Sequence, residues 1–241
     1  MNQMLDAQAL TGRSRSHVQE FVLPDGSHFL AHAQAGEALL ALKAAAHAEG
    51  IELAIASAYR SFEDQARIWQ RKWHGERILL DAQCRPIDHA CLAPDALVET
   101  ILEWSALPGA SRHHWGCEFD IYDRAAMPSD YELQLIPSEY ASDGIFAALT
   151  AWLDANMARF GFFRPYDIER GGVHPEPWHL SWAPLSVPAL AALSPDVLRE
   201  CITGADLAGK EAILAKLESI YARHVCRVAS PAFALPAPPT I

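Results

Sequence analysis

The 241-residue chain has no apolar run approaching the ~18–20 residues of a membrane span, no CxxC pair and no cluster of lysines or arginines. Each absence excludes something. Lys and Arg number 19 against 30 Asp and Glu, for a formal charge of −11. Phosphate binding needs a basic face, so neither nucleic acid nor an anionic membrane surface is expected as a partner. An acidic ligand would need a local arginine. Five cysteines, Cys84, Cys91, Cys117, Cys201 and Cys226, are an odd count without paired spacing. They indicate neither a disulfide framework nor a cysteine zinc knuckle and read as small buried hydrophobes. The opening MNQMLDAQALTGRSRSHVQEF holds no stretch of signal-peptide type, so a cytoplasmic location is expected.

Hydrophobic content of 51% suffices to bury a full core. The turn chemistry of PDGS, flanked by VQEFVL and HFLAH, predicts a hairpin over residues 18–33. EALLALKAAAHAEG carries apolar residues at helical spacing and a terminating Gly50, and IELAIAS reads as a strand. Ser61 can cap FEDQARIWQRKWHG, with Glu63 and Asp64 at the positive end of that helix. PDALVETILEWS predicts a further helix, and residues 143–160 a long one closed by Gly161. GFFRPY and PEPWHLSW read as strands, since prolines 165, 175 and 177 do not suit a helix interior. Two helices are expected after Ser194-Pro195 and over 205–225, ahead of a proline-rich tail, SPAFALPAPPTI. The expected fold is α+β, a small antiparallel sheet flanked by helices. Residues 1–183 would form the functional domain with its N-terminal hairpin, and 184–241 an appended helical segment packed on it.

The densest chemistry lies in SRHHWGCEFDIYD, residues 111–123, with two histidines and three acids. Cys117, Phe119 and Ile121 alternate with Glu118, Asp120 and Tyr122, the period of a half-buried strand, so Asp120 points away from the apolar face. Gly116 allows a sharp turn that could fold His113 or His114 back beside Asp120. A catalytic zinc site takes three protein ligands. HPEPWHLSW offers His174, Glu176 and His179 as sources of the third. Glu176 and His179 would face opposite ways on an ideal strand, and both reach one metal only if a proline marks a bulge. Taken singly, each piece is equally well a surface pair or a core strand.

SAYRSFEDQ, SRHHWGCEFD and EPWH, in that order, resemble the three signature blocks of VanY-type D-alanyl-D-alanine carboxypeptidases, in the metallopeptidase group shared with lysostaphin and the hedgehog signalling domain. The resemblance spans residues 37–183. It implies that His113, Asp120 and His179 bind Zn2+ and that Glu176 is the general base. Arg60 would stabilise the developing oxyanion, and Gln65 and Ser111 would line the substrate pocket. His114 has no ligand role in that pattern. Glu118 departs from it, standing where the family usually carries a small residue, often alanine, which bears on local packing and substrate preference.

The implied activity is zinc-dependent removal of a terminal D-alanine from peptidoglycan-type peptides, with Glu176 accepting the proton of the attacking water. A zinc endopeptidase acting within muropeptides is the nearest alternative. A non-catalytic zinc-bearing binding domain would need neither Glu176 nor Arg60.

Overall fold

The computed structural model describes residues 5–234. Its centre is a four-stranded antiparallel sheet built from β3 (Leu53–Ser57), β6 (Glu118–Asp123), β8 (His179–Trp182) and β7 (Phe162–Phe163), in the order β3-β6-β8-β7. The N-terminal hairpin is β1 (Gln19–Val22) paired with β2 (His28–Ala31), and a second short hairpin joins β4 (Leu79–Leu80) to β5 (Pro86–Ile87). Phe29 of the first hairpin meets Phe119 of β6 edge-on at 6.1 Å, and Phe119 meets Phe162 at the same spacing. These rings join the hairpin to the sheet's apolar face. Among the described residues no helix is long and apolar enough to cross a membrane.

Helix α1 (Ala7–Leu10) precedes the hairpin, and α2 (Ala33–Ala48) buries Leu39, Leu42 and Ala46, spaced three to four residues apart. Helix α3 (Phe62–Trp73) starts at a reciprocal cap. Ser61 Oγ accepts from the Asp64 amide at 3.1 Å, and Asp64 accepts from the Ser61 amide at 3.4 Å. Its buried face carries Phe62, Gln65 and Trp69. Helix α4 (Pro94–Leu102) contributes Leu97, Val98, Ile101 and Leu102 to the same core.

Several elements are shorter than the sequence predicts. The helix expected over 143–160 is α5 (Ala147–Asn156) followed by a 3-10 turn at Met157–Phe160, because the Phe146 amide bonds back to Glu139 at 2.7 Å and commits the preceding residues to a turn. Gly161 does close it, at φ +82°. GFFRPY yields only the two residues of β7. PEPWHLSW is a strand only from His179, since the Glu176 amide bonds to Tyr166 O (2.9 Å) and the His179 amide to Glu176 O (3.1 Å), making residues 176–179 a turn.

After β8 the chain forms α6 (Ala183–Ala192), with Pro188 inside it, which the sequence reading did not anticipate, and then α7 (Pro195–Thr203). The helix expected over 205–225 is broken into α8 (Lys210–Ala215), α9 (Leu217–Ile220) and a wide π turn at Tyr221–Val225. Gly209, at φ +73°, is pressed so closely by the Trp73 ring that a Cβ there would lie 2.4 Å from it. This last part of the chain packs on α3, where Trp69 Nε1 donates to Ala208 O at 3.0 Å, and Leu198, Ile202, Ile213 and Leu217 join the common core. The tail residues 235–241 lie outside the described residues.

All five cysteines are free, but only Cys117 is buried; Cys84 and Cys201 are partly covered and Cys91 and Cys226 exposed. Reading most of them as core residues is therefore corrected, because Cys84 and Cys91 fall in and beside the β4–β5 hairpin rather than in the sheet.

Candidate metal and peptidase site

Register alone assembles the site. Asp120 of β6 lies directly opposite His179 of β8, and Glu118 opposite Ser181, so all four side chains occupy one face of the sheet. On the other flank Ser57 of β3 pairs with Asp120 across an irregularity in the ladder. The face is not the wet side of a half-buried strand, as alternation suggested. Glu118 is fully buried and Asp120 nearly so, because the 3-10 turn at Arg112–Trp115 folds over them. Gly116 makes that fold possible at φ +69°, where a Cβ would come within 2.4 Å of Val18 and 2.9 Å of the His32 nitrogen.

The hydrogen bonds fix the tautomers of both imidazoles. His113 Nδ1 lies 2.7 Å from Ala58 O, which can only accept, so Nδ1 carries the hydrogen and Nε2 presents a lone pair 3.3 Å from Asp120 Oδ2. His179 Nε2 donates to Glu118 Oε2 at 2.7 Å, leaving Nδ1 bare at 3.3 Å from Asp120 Oδ1 and 3.2 Å from Glu176 Oε2. Asp120 Oδ1 is buried and has no hydrogen-bond partner. One donor atom each from His113, Asp120 and His179 lie within 4.8 Å of one another. Two bare imidazole nitrogens and an unsatisfied carboxylate oxygen converging in this way fit a divalent cation of borderline softness.

The electrostatics agree. Burial raises the Asp120 pKa, but the neighbouring His113 and His179 outweigh it and hold the carboxyl below its usual range. Burial likewise lowers the His179 pKa, and the surrounding carboxylates of Asp120, Glu118 and Glu176 reverse that strongly. A cation at the centre would take the place of the proton this group otherwise attracts.

Behind His179 lies a buried ionic cluster. Glu118 Oε1 accepts from Arg112 Nη2 (3.1 Å) and Ser181 Oγ (2.8 Å), and Arg112 Nη2 also donates to Ser181 Oγ at 2.8 Å. The guanidinium sits 4.8 Å over the Trp115 ring. Burial works to raise the Glu118 pKa, but Arg112 and the bonds from His179 and Ser181 keep it below the ordinary carboxylate value. Glu118 is thus the carboxylate partner that orients His179. Sequence reasoning marked Glu118 as a departure without seeing this use. The signal was present as an arginine and a glutamate six residues apart around the motif, but only β8 shows what they hold.

Glu176 stands at the turn before β8, beside His179. Arg60 donates from Nη1 to Gln65 Oε1 (2.7 Å) and from Nη2 to Ser57 Oγ (2.9 Å), and Gln65 Nε2 in turn donates to Ala106 O at 2.7 Å. A cleft of about 460 Å3 brings Arg60, Ser111, His113, Asp120, Glu176 and His179 onto one lining. Gln65 does not line it and acts on it through Arg60. His114 is fully buried, donating from Nδ1 to Arg60 O (2.6 Å) and accepting at Nε2 from the Gly109 amide (3.1 Å). Burial pushes its pKa down to about 3, so it is a neutral pin beneath Arg60. His174 is drawn aside to Glu169, 2.8 Å from Nδ1, with its ring 4.8 Å from that of Trp104. Tyr166, Trp178, Lys72, Arg77 and Ser105 also line the cleft, and sequence reasoning singled out none of them.

The family model described as VanY, D-alanyl-D-alanine carboxypeptidase, matches residues 28–185. The chain belongs to the VanY family. Among relatives, an uncharacterized protein of Haemophilus influenzae is 36% identical over 121 residues, 49% of this chain and 92% of that protein. A D-alanyl-D-alanine carboxypeptidase of Enterococcus faecalis is 31% identical over 141 residues, 56% of this chain but 41% of the relative. Among solved structures, VanYB in complex with D-alanine-D-alanine is 25% identical, with 78% of this chain and 90% of that chain covered and a TM-score of 0.48. A D,D-pentapeptidase VanY in complex with Zn(II) is 23% identical, with 83% and 92% covered and a TM-score of 0.47. The VanY match takes in the first hairpin's second strand, the whole sheet and the start of α6, so it contains every residue of the candidate site.

Proposed function

We propose that this VanY-family protein is a zinc-dependent carboxypeptidase that removes a terminal D-alanine from peptidoglycan-type peptides. The observation that carries the reading is the convergence of the bare His113 and His179 nitrogens and Asp120 at a point that Glu176 flanks. Zinc held by such a set would supply Lewis acidity to the attacking water and the scissile carbonyl. Glu176, 3.2 Å from His179 Nδ1, is the group placed to take a proton there and return it to the leaving amine. Arg60 is held in the cleft by Gln65 and Ser57, both neutral acceptors, so its charge is left for the carbonyl oxygen that becomes anionic. Such preorganised donors are typically worth ~3–4 kcal/mol. Ser111 lines the substrate pocket, and Gln65 fixes Arg60.

The test is mass spectrometry of muropeptide digests by the zinc-loaded and metal-stripped protein, alongside elemental analysis. Loss of one alanine mass, dependent on zinc, with one zinc per chain that disappears in His113→Ala and His179→Ala, is the expected result. Internal cleavage products would replace this reading by the endopeptidase, and zinc content unchanged by both substitutions would sink the ligand assignment.

A further inference from the structure

Residues 164–178, between β7 and β8, run as an irregular loop whose end carries Glu176. A loop has no repeating ladder of hydrogen bonds to hold a side chain in place, so its support must come from another segment. At the neck the loop closes on itself, the Glu176 amide donating to Tyr166 O at 2.9 Å, and the Tyr166 ring stands edge-on to His179 at 5.2 Å. The peptide unit before Tyr166 is held from outside. There the Ala229 amide donates to Pro165 O at 2.8 Å.

The tip of the loop is held by the same distant segment. Arg227 Nη1 donates to Arg170 O and Gly171 O, both at 3.3 Å, and Arg223 Nε donates to Gly171 O at 3.4 Å. Gly172 lies so close to the Arg223 carbonyl that a Cβ there would come within 2.1 Å of its oxygen. Gly172 does not hold a left-handed φ, so the contact rather than the backbone is what requires glycine. Arg223 Nη1 also donates to Glu99 of α4 at 3.0 Å, and His224 and Val225 are buried, so this segment is itself anchored where it meets the loop. It lies beyond residue 185, where the VanY match ends, yet it grips a loop inside that match.

We propose that residues 221–229 form a clasp that positions the Glu176 loop, with Arg223 and Arg227 as positioning residues for the reaction. The inference rests on the peptidase reading. A shift at Pro165 or at the loop tip moves Tyr166 O, and the Glu176 amide bonded to it moves as well. A proton acceptor must stay within hydrogen-bond reach of its proton, and a misplacement of about 1 Å can cost about a hundred-fold in rate. The metal ligands are not carried by the loop, since Asp120 stands on β6, His179 on β8 and His113 in the Arg112–Trp115 turn. Loosening the clasp should therefore lower kcat while the metal is retained.

Two variants act on the clasp from opposite sides. Gly172→Ala pushes the Arg223 carbonyl away, and Arg223→Gln combined with Arg227→Gln removes the bonds to the tip. Arg223 is partly exposed and Arg227 exposed, so the second variant folds even if the first fails. Each zinc-loaded protein is assayed for zinc content, for hydrogen exchange and for steady-state kinetics on a peptide ending in D-alanyl-D-alanine. Zinc should stay at the wild-type level, kcat should fall about 10–100-fold for Gly172→Ala and about three- to ten-fold for the arginine pair, and KM should stay within about two-fold. Amides of residues 166–176 should exchange faster while those of β6 and β8 keep their protection. In a Glu176→Gln background, Gly172→Ala should change kcat by less than about two-fold, because the group it positions is already gone. An equal loss in both backgrounds, or kcat and loop exchange unchanged in both variants, overturns the clasp and leaves the peptidase reading intact. A wild type that cleaves no peptide overturns that reading, and with it the clasp's part in catalysis.

Discussion

Glu118→Gln should cost this protein both stability and metal affinity, and the structure says how much of each. The glutamine amide is nearly isosteric, so packing is preserved while the charge is removed. Its oxygen can accept either from His179 Nε2 or from the Arg112 and Ser181 pair, and its NH2 then faces the other donor at the 2.7–3.1 Å now spanned by hydrogen bonds. The Arg112 guanidinium, 4% exposed, would lose the only carboxylate within reach among the described residues, and its Nε and Nη1 already lack partners. Breaking one side of a buried pair costs about 3–5 kcal/mol. At about 2–4 °C per kcal/mol for a chain of this size, Tm of the metal-free protein should fall by roughly 6–20 °C. Loss of the carboxylate that orients His179 should weaken zinc binding by about 10–100-fold. Scanning calorimetry and a chelator competition titration read the two effects separately. Adding Arg112→Met should restore more than half of the lost stability, since the stranded charge is then gone, but none of the zinc affinity. A fall of less than about 2 °C with zinc affinity unchanged would refute the role assigned to the pair.

Glu176→Gln should retain one zinc per chain and the wild-type Tm while turnover falls by about 10²–10⁴-fold, because the amide cannot accept the proton; kcat near wild type would mean another base operates. His114→Ala should keep its zinc yet lose roughly 2–5 kcal/mol in denaturant unfolding, since the Gly109 amide and Arg60 carbonyl would be left unpaired in the interior. Arg60→Lys should lower kcat more than it raises KM, because an ammonium cannot donate to Gln65 and Ser57 and still present a planar fork; unchanged kcat/KM would remove Arg60 from the chemistry.

Local chemistry was legible from the sequence wherever a few neighbouring residues decide the outcome. The turn in PDGS, the Ser61 cap, Gly50, Gly116 and Gly161 act through their own φ, ψ and side-chain hydrogen bonds, and the resemblance of SRHHWGCEFD and EPWH to the VanY blocks named the residues that the fold brings together. The lengths of β7 and β8, the breaks in α5 and in the helices after 205, and the burial of β6 on both faces were not legible. They depend on where a carbonyl from another segment meets an amide, as Tyr166 O meets Glu176 N, or where a ring from α3 meets Gly209. The use of Glu118 was hidden for the same reason. A strand's alternation says which side chains share a face, but only the register of β6 against β8 puts a carboxylate behind His179 and an arginine behind the carboxylate. Periodicity is a property of one segment; the pairing that turns a polar face into a buried site belongs to two.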